Sequence, residues 1–224
     1  MIRRIALVLV ALIALGAMGS AVFMLRGRRT PPPGFVSIKT LGPYQDATLL
    51  KKANALPVAA TFQMLLSQTN PSACGPASVA NVYRSAGEMS TQEEIAKFGT
   101  GCVRGMCFGG LTLDQLADAA IASHHGWSIS VMHPIDVDAF RKELRTYAND
   151  LDRRYIINFD RFPLFGTGGG HHSPIGGYLE EEDLVFVMDV NASYQPWLVK
   201  TDRLFEAMDT LDGTNKRGLI LFTH

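Results

Sequence analysis

The sequence predicts an α+β protein, helical in its N-terminal half and built on an antiparallel sheet in its C-terminal half. Between residues 74 and 147, helix-start signals are followed by apolar residues at helical spacing. Between residues 155 and 222 the pattern changes to short runs rich in β-branched and aromatic residues, separated by turn residues. Helices first and strands afterwards is the α+β order. The chain has 224 residues, enough for one or two domains with a real core. Lysine plus arginine and aspartate plus glutamate both number 21, for a net charge of zero, so no strongly basic face for nucleic acid is indicated.

Residues 1–29, MIRRIALVLVALIALGAMGSAVFMLRGRR, stand apart from the fold. Residues 5–25 carry no charge and no proline, and such a run is about long enough to cross a bilayer core of roughly 30 Å. Two readings compete. A signal peptide would be cut near Gly19-Ser20-Ala21. An uncut anchor fits the length of the run and the cluster Arg26, Arg28 and Arg29 behind it. Either way the expectation is a membrane-anchored or exported protein, with its body on the periplasmic side. Residues 30–35 then read as a stiff proline-rich linker, and residues 36–224 as one catalytic domain.

Within that domain the elements follow in order. After Cys74, Gly75-Pro76 puts proline where a first helical turn accepts it. Ala77, Ala80, Val82 and Tyr83 supply an apolar face, and Gly87 a stop. Ser90 with Glu93 has capping-box spacing, and so has Thr112 with Gln115. Asp136 caps a helix that carries Phe140, Leu144 and Tyr147. Residues 155–159, 174–178, 184–188 and 219–222 read as strands, with a helix over 202–208 between them.

The chemistry concentrates on few residues. Of three cysteines, Cys102 and Cys107 are close in sequence and Cys74 is alone. For the close pair, a disulfide, ordinary thiols, and metal contact or redox chemistry all stay open; without a second pair the C-x4-C spacing is weak evidence for zinc. Cys74 sits where a helix begins, and the helix dipole favours an anion there. A nucleophilic thiolate needs a histidine to hold its proton and a third group to orient that histidine. Six histidines are available, and the stretch GTGGGHHSPIGGY places His171 and His172 among glycines that let another chain segment or a ligand approach. The next apolar strand ends at Asp189, whose carboxylate would need a partner if buried. Gln68, six residues before Cys74, offers an amide donor for an oxyanion. His124-His125 and residues 180–182 read as solvated turns.

Four blocks, SQTNPSACGPAS, GGLTLDQL, GGGHHSPIGGYLEEEDLVFVMDV and LFEAMDTLDGTNKRG, together resemble the catalytic domain of phytochelatin synthase, a papain-like cysteine transferase acting on glutathione. The resemblance runs in order over residues 40–224. It implies a papain-like fold, with Cys74 as nucleophile, Gln68 in the oxyanion site, His171 rather than His172 as the base, and Asp189 as its orienting acid. It also implies that Arg161 and Arg217 bind substrate. The implied activity is cleavage of the Cys–Gly bond of glutathione and transfer of γ-Glu-Cys to glutathione or water. No cofactor is implied beyond a heavy-metal ion such as cadmium or zinc carried as the glutathione thiolate complex, and no metal ligands are assigned. The implied partners are glutathione and its metal complexes, the membrane through residues 5–25 if that segment stays uncut, and optionally a second copy of the chain. His172 stands where the family carries an apolar residue, and the sequence offers no account of it beyond a turn histidine. The rival readings are a papain-like peptidase trimming peptides and an anchored, non-enzymatic metal-binding protein.

Overall fold

A computed structural model describes residues 29–123 and 126–224; the apolar leader over residues 1–28 and the pair His124-His125 lie outside the described residues. No helix among the described residues is long and apolar enough to cross a membrane. The chain divides into two compact units, residues 1–35 and 36–224. In the first, the proline run does not stay extended to its end. It closes a turn, with the Phe35 N–H on the Pro32 carbonyl at 3.1 Å and Gly34 at φ +79°, the conformation a Pro-Gly turn requires.

The second unit contains, in chain order, α1 (Ala47–Asn54), α2 (Cys74–Ser85), α3 (Gln92–Ala96), β1 (Cys102–Val103), β2 (Met106–Cys107), α4 (Leu113–Ser123), β3 (Ser128–Met132), α5 (Val137–Tyr147), β4 (Arg153–Asp160), α6 (Phe162–Phe165), β5 (Gly170–Leu179), β6 (Leu184–Val187), β7 (Trp197–Lys200), α7 (Thr201–Met208), β8 (Leu211–Asp212), β9 (Asn215–Lys216) and β10 (Leu219–Thr223). Six strands form one sheet in the order β3-β10-β4-β5-β6-β7, and every neighbouring pair in it is antiparallel.

Helices cover both faces of this sheet, which explains why its strands read as continuous apolar runs rather than alternating ones. On β4, Tyr155, Ile157 and Phe159 join one core with Phe140 and Leu144 of α5 and Leu204 and Met208 of α7. The intervening Ile156 joins Val79, Val82 and Tyr83 of α2, Leu116 of α4, and Ile220 and Phe222 of β10. Successive strand residues point to opposite faces, so the two cores lie on opposite sides of the sheet. Each fully buried large side chain contributes roughly 1.5–3 kcal/mol.

The local signals hold with small shifts. Asp136 caps α5 by accepting from the Ala139 N–H at 2.8 Å, and Thr112 and Gln115 exchange both capping-box bonds at 3.0 and 3.3 Å. The box expected at Ser90 and Glu93 forms one residue later, between Thr91 and Glu94. Threonine offers the same hydroxyl as serine, and the one-residue shift turns Ile95 and Ala96 into the core. β3 and β7 are strands the pattern did not single out.

Of the readings open for Cys102 and Cys107, the disulfide forms. The two residues face each other across the β1–β2 hairpin. Its turn residues, Arg104 and Gly105, both have positive φ, 50° and 81°, the geometry of a tight type I′ turn. The hairpin braces the approach to α2: the Cys107 N–H bonds to Ser72 Oγ at 3.1 Å and Asn70 Nδ2 to the Gly105 carbonyl at 3.1 Å. Closing so short a loop contributes about 2 kcal/mol through the unfolded chain. Replacing both Cys102 and Cys107 by alanine is therefore expected to lower unfolding stability by about that amount, read from the urea midpoint; an unchanged midpoint would show that the staple constrains nothing.

Candidate active site

Cys74 is the first residue of α2 and is largely buried, packed with Ala77 and Val190. Ala73 precedes the helix and supplies no side-chain cap for the N–H groups of that first turn. These groups and the helix dipole favour negative charge at the sulfur and beside it. Ser78, one turn on, clips the helix to β5: its Oγ lies 2.7 Å from the Cys74 carbonyl and 3.0 Å from the His172 carbonyl.

His171 stands opposite Phe159 in the β4–β5 register and packs edge-on against that ring at 5.5 Å. Its Nε2 is 2.9 Å from Asp189 Oδ1, so Nδ1 is the ring nitrogen not engaged by the acid. Burial opposes ionisation of Cys74, but the charge of His171 and hydrogen bonding from His171 and His172 hold the thiol well below its ordinary value. Burial likewise opposes charge on His171, yet Cys74 and Asp189 raise the imidazole above its ordinary value. The directions are reciprocal, as for a thiolate–imidazolium pair.

Asp189 is completely enclosed and receives five donor contacts. Besides His171, these are Arg161 Nη2 at 2.9 and 3.0 Å, Trp197 Nε1 at 2.9 Å and the Asn191 N–H at 2.9 Å. Burial would push this carboxyl up; the hydrogen bond and charge of His171, with Arg161 and Trp197, bring it below the usual carboxylate value. Arg161 is thus engaged behind the acid rather than in the cleft, its guanidinium stacked 3.8 Å over the Tyr194 ring. Its link to the chemistry runs through Asp189.

A cleft of about 360 Å³ opens beside the thiol, lined among others by Ser72, Gly110, His172, Asp212 and Arg217. Arg217 reaches it from the segment before β10. Its Nη1 bonds to Asn158 Oδ1 at 2.6 Å and lies 3.2 Å from Asp212 Oδ1, and its Nε bonds to Thr210 Oγ1 at 3.1 Å. Gly170 leaves room for this arrangement, because a Cβ at that position would stand 2.7 Å from Arg217 Nη1 and the guanidinium would have to shift. Asp212 accepts from the Leu113 N–H at 3.2 Å. The far wall of the cleft therefore carries a cation and an anion side by side.

Gln68 lies on the loop leading to α2. Its backbone N–H bonds to the Val190 carbonyl at 2.8 Å, and its Nε2 donates to the Asn70 carbonyl at 2.8 Å. One amide proton remains for another acceptor, while Oε1 is buried without a partner. His172 is not in a turn: it is a buried residue of β5, and its Nδ1 stands 3.9 Å from Cys74 Sγ. Sequence reasoning also passed over Asp212, Asn158 and Trp197. Only Asp212 had a local signal, an Asp-Gly turn four residues ahead of Arg217. Among the described residues no group of three or more His, Cys, Asp or Glu side chains is placed to hold a metal ion.

Comparisons with known proteins bear on the family and the fold. The family model described as phytochelatin synthase matches residues 44–219. Glutathione gamma-glutamylcysteinyltransferase 3 of Lotus japonicus is 37% identical over 90 residues, covering 39% of this chain and 19% of that protein. Glutathione gamma-glutamylcysteinyltransferase 1 of the same plant is 34% identical over 124 residues, 54% of this chain and 24% of that protein. The chain thus spans about a quarter or less of the length of these curated relatives. Among solved structures, the peptidase domain of Streptococcus ComA, a bi-functional ABC transporter, aligns with a TM-score of 0.51 at 18% identity, covering 71% of this chain and 96% of that one. That likeness bears on the fold alone, which is papain-like. Matched over most of its length by the family model, the chain belongs to the phytochelatin synthase family.

Proposed function

We propose that the chain cleaves the Cys–Gly bond of glutathione and transfers the γ-Glu-Cys unit to a second glutathione or to water. The observation that carries this reading is one cleft lined by the Cys74 thiol and, on its far wall, by the Arg217–Asp212 pair, with His171 bonded to Asp189 at 2.9 Å. The γ-glutamyl end of glutathione bears a carboxylate and an ammonium side by side. An arginine fork suits the first and a carboxylate the second.

In the first half-reaction the Cys74 thiolate attacks the cysteinyl carbonyl carbon. The oxyanion is held by the Cys74 N–H and the free amide proton of Gln68. The C–N bond breaks as His171 passes its proton to the departing glycine, leaving a thioester on Cys74. In the second, the acceptor amine or water attacks the thioester carbonyl, His171 takes its proton, and the Cys74 thiolate departs. Asp189 keeps the imidazole in one tautomer and orientation throughout. Metal ions enter as substrate, in the thiolate complex of the acceptor glutathione, so cadmium raises transfer relative to hydrolysis. The disulfide and the apolar leader support an exported or anchored body, because disulfides persist in oxidising compartments.

The test is incubation of the purified protein with glutathione, with and without cadmium, reading free glycine and product masses. Glycine release with γ-Glu-Cys or its longer polymers is expected. Turnover of α-linked peptides without any release from glutathione would overturn the substrate assignment in favour of a peptidase.

A further inference from the structure

His171 and His172 are adjacent on β5 and both act on the Cys74 sulfur, and the relay uses only His171. His172 shares a face of the sheet with Asn158, its register partner on β4, and Asn158 in turn holds Arg217 and Asp212. His172 therefore lies on the cleft side of the sheet, whereas His171 stands opposite Phe159 on the other side. The His172 ring is buried, and its only hydrogen-bond contact among the described residues is Nδ1 to Cys74 Sγ at 3.9 Å; Nε2 has no partner.

That asymmetry decides where the ring proton sits. With the proton on Nε2, a buried N–H would be orphaned and the Nδ1 lone pair would face the sulfur anion. With the proton on Nδ1, the N–H points at sulfur and only an acceptor is left unpaired, the less costly arrangement. We propose that His172 is a second imidazole donor to the Cys74 thiolate, its Nδ1–H holding the sulfur from the cleft side while His171 exchanges the proton. The inference rests on Cys74 being the nucleophile, as in the reading above, but not on glutathione being the substrate.

The titratable and charged groups around the sulfur are His171 and His172 from β5, Asp189 and Arg161 behind His171, and Arg217 and Asp212 across the cleft. Of these, His172 stands 3.9 Å from the sulfur through Nδ1, and the charge of His171 also acts on the thiol. A donor aimed at a charged acceptor is among the stronger hydrogen bonds, so its removal raises the thiol by about one pH unit.

The test is the rate of Cys74 alkylation by iodoacetamide as a function of pH, which needs no glutathione. In the H172F protein the rise in rate marking thiolate formation is expected about one unit higher than in the unaltered protein. In H172N, where an amide N–H replaces Nδ1–H, the rise stays near its original pH. In H172Q, whose amide reaches instead to the place of Nε2, it behaves as in H172F. A purely packing role would not separate asparagine from glutamine in this way. Unchanged alkylation profiles for H172F, or identical profiles for H172N and H172Q, would overturn the proposal. If the profiles shift as expected while the unaltered protein releases no glycine from glutathione, the substrate assignment falls and the role of His172 stands.

Discussion

Cys74→Ala is expected to remove glycine release from glutathione, a fall of roughly 10⁶-fold in turnover if nucleophile loss here matches other covalent hydrolases. No other thiol takes over, because Cys102 and Cys107 are tied in the disulfide. The alanine protein is expected to fold, since the site loses one sulfur from a pocket shared with Ala77 and Val190. It also isolates the ion pair. Burial disfavours charge on His171, and the charge of Cys74 is the first of the forces raising it back. Without the thiolate, the His171 titration followed by NMR should move down. In the intact enzyme, activity should follow a bell-shaped pH profile. Its acid limb, where Cys74 gains a proton, falls below the ordinary thiol value of about 8.5, and its alkaline limb, where His171 loses one, falls above the ordinary imidazole value of about 6.5. Full glycine release by the alanine variant, or a His171 titration that ignores the substitution, would remove Cys74 from the centre of the chemistry.

What the sequence made legible follows from the range over which each feature is determined. Cys74 at a helix start was readable because Gly75, Pro76 and Gly87 act within a turn or two of themselves. The strands were readable from composition, since a sheet covered on both faces needs apolar residues at nearly every position, as in 155–159 and 184–187. The glycine-flanked histidine pair and the acid ending an apolar strand marked His171, His172 and Asp189, the resemblance chose His171 over His172, and the register of β4, β5 and β6 is what brings His171 and Asp189 together. His172 was opaque for the same reason. Whether the second of two adjacent strand residues faces solvent or a thiol depends on where α2 packs, which no local pattern records. Arg161 and Arg217 looked alike in sequence, each beside a strand. Arg161 is drawn to Asp189 by a pocket that Trp197 and Tyr194 wall, residues far along the chain. The disulfide depended on an Arg104-Gly105 turn, whose arginine in a left-handed conformation is not among the usual hairpin signals.

Asp189→Asn is expected to cost both activity and stability, and the two losses can be separated. Asparagine keeps the shape but presents an N–H₂ to a site built from donors. His171 loses the acceptor that fixes its tautomer, and an orientation loss of this kind lowers turnover by about 10³–10⁴-fold. Arg161, nearly as buried as Asp189, is left as an uncompensated charge, and breaking such a pair costs about 3–5 kcal/mol. The stability loss carries a pH signature. The folded carboxyl lies below its ordinary value, so its contribution is complete above the unfolded value of about 3.9 and disappears as pH falls through the folded one. The unfolding free energies of the two proteins should therefore differ most near neutrality and converge in acid. Adding Arg161→Met to Asp189→Asn removes the stranded charge, and stability is expected to recover in part. Turnover is not expected to recover, because no methionine restores an acceptor at His171 Nε2. If the double variant regains activity along with stability, Asp189 acts only as a counter-ion for Arg161, and the orientation of His171 must come from elsewhere.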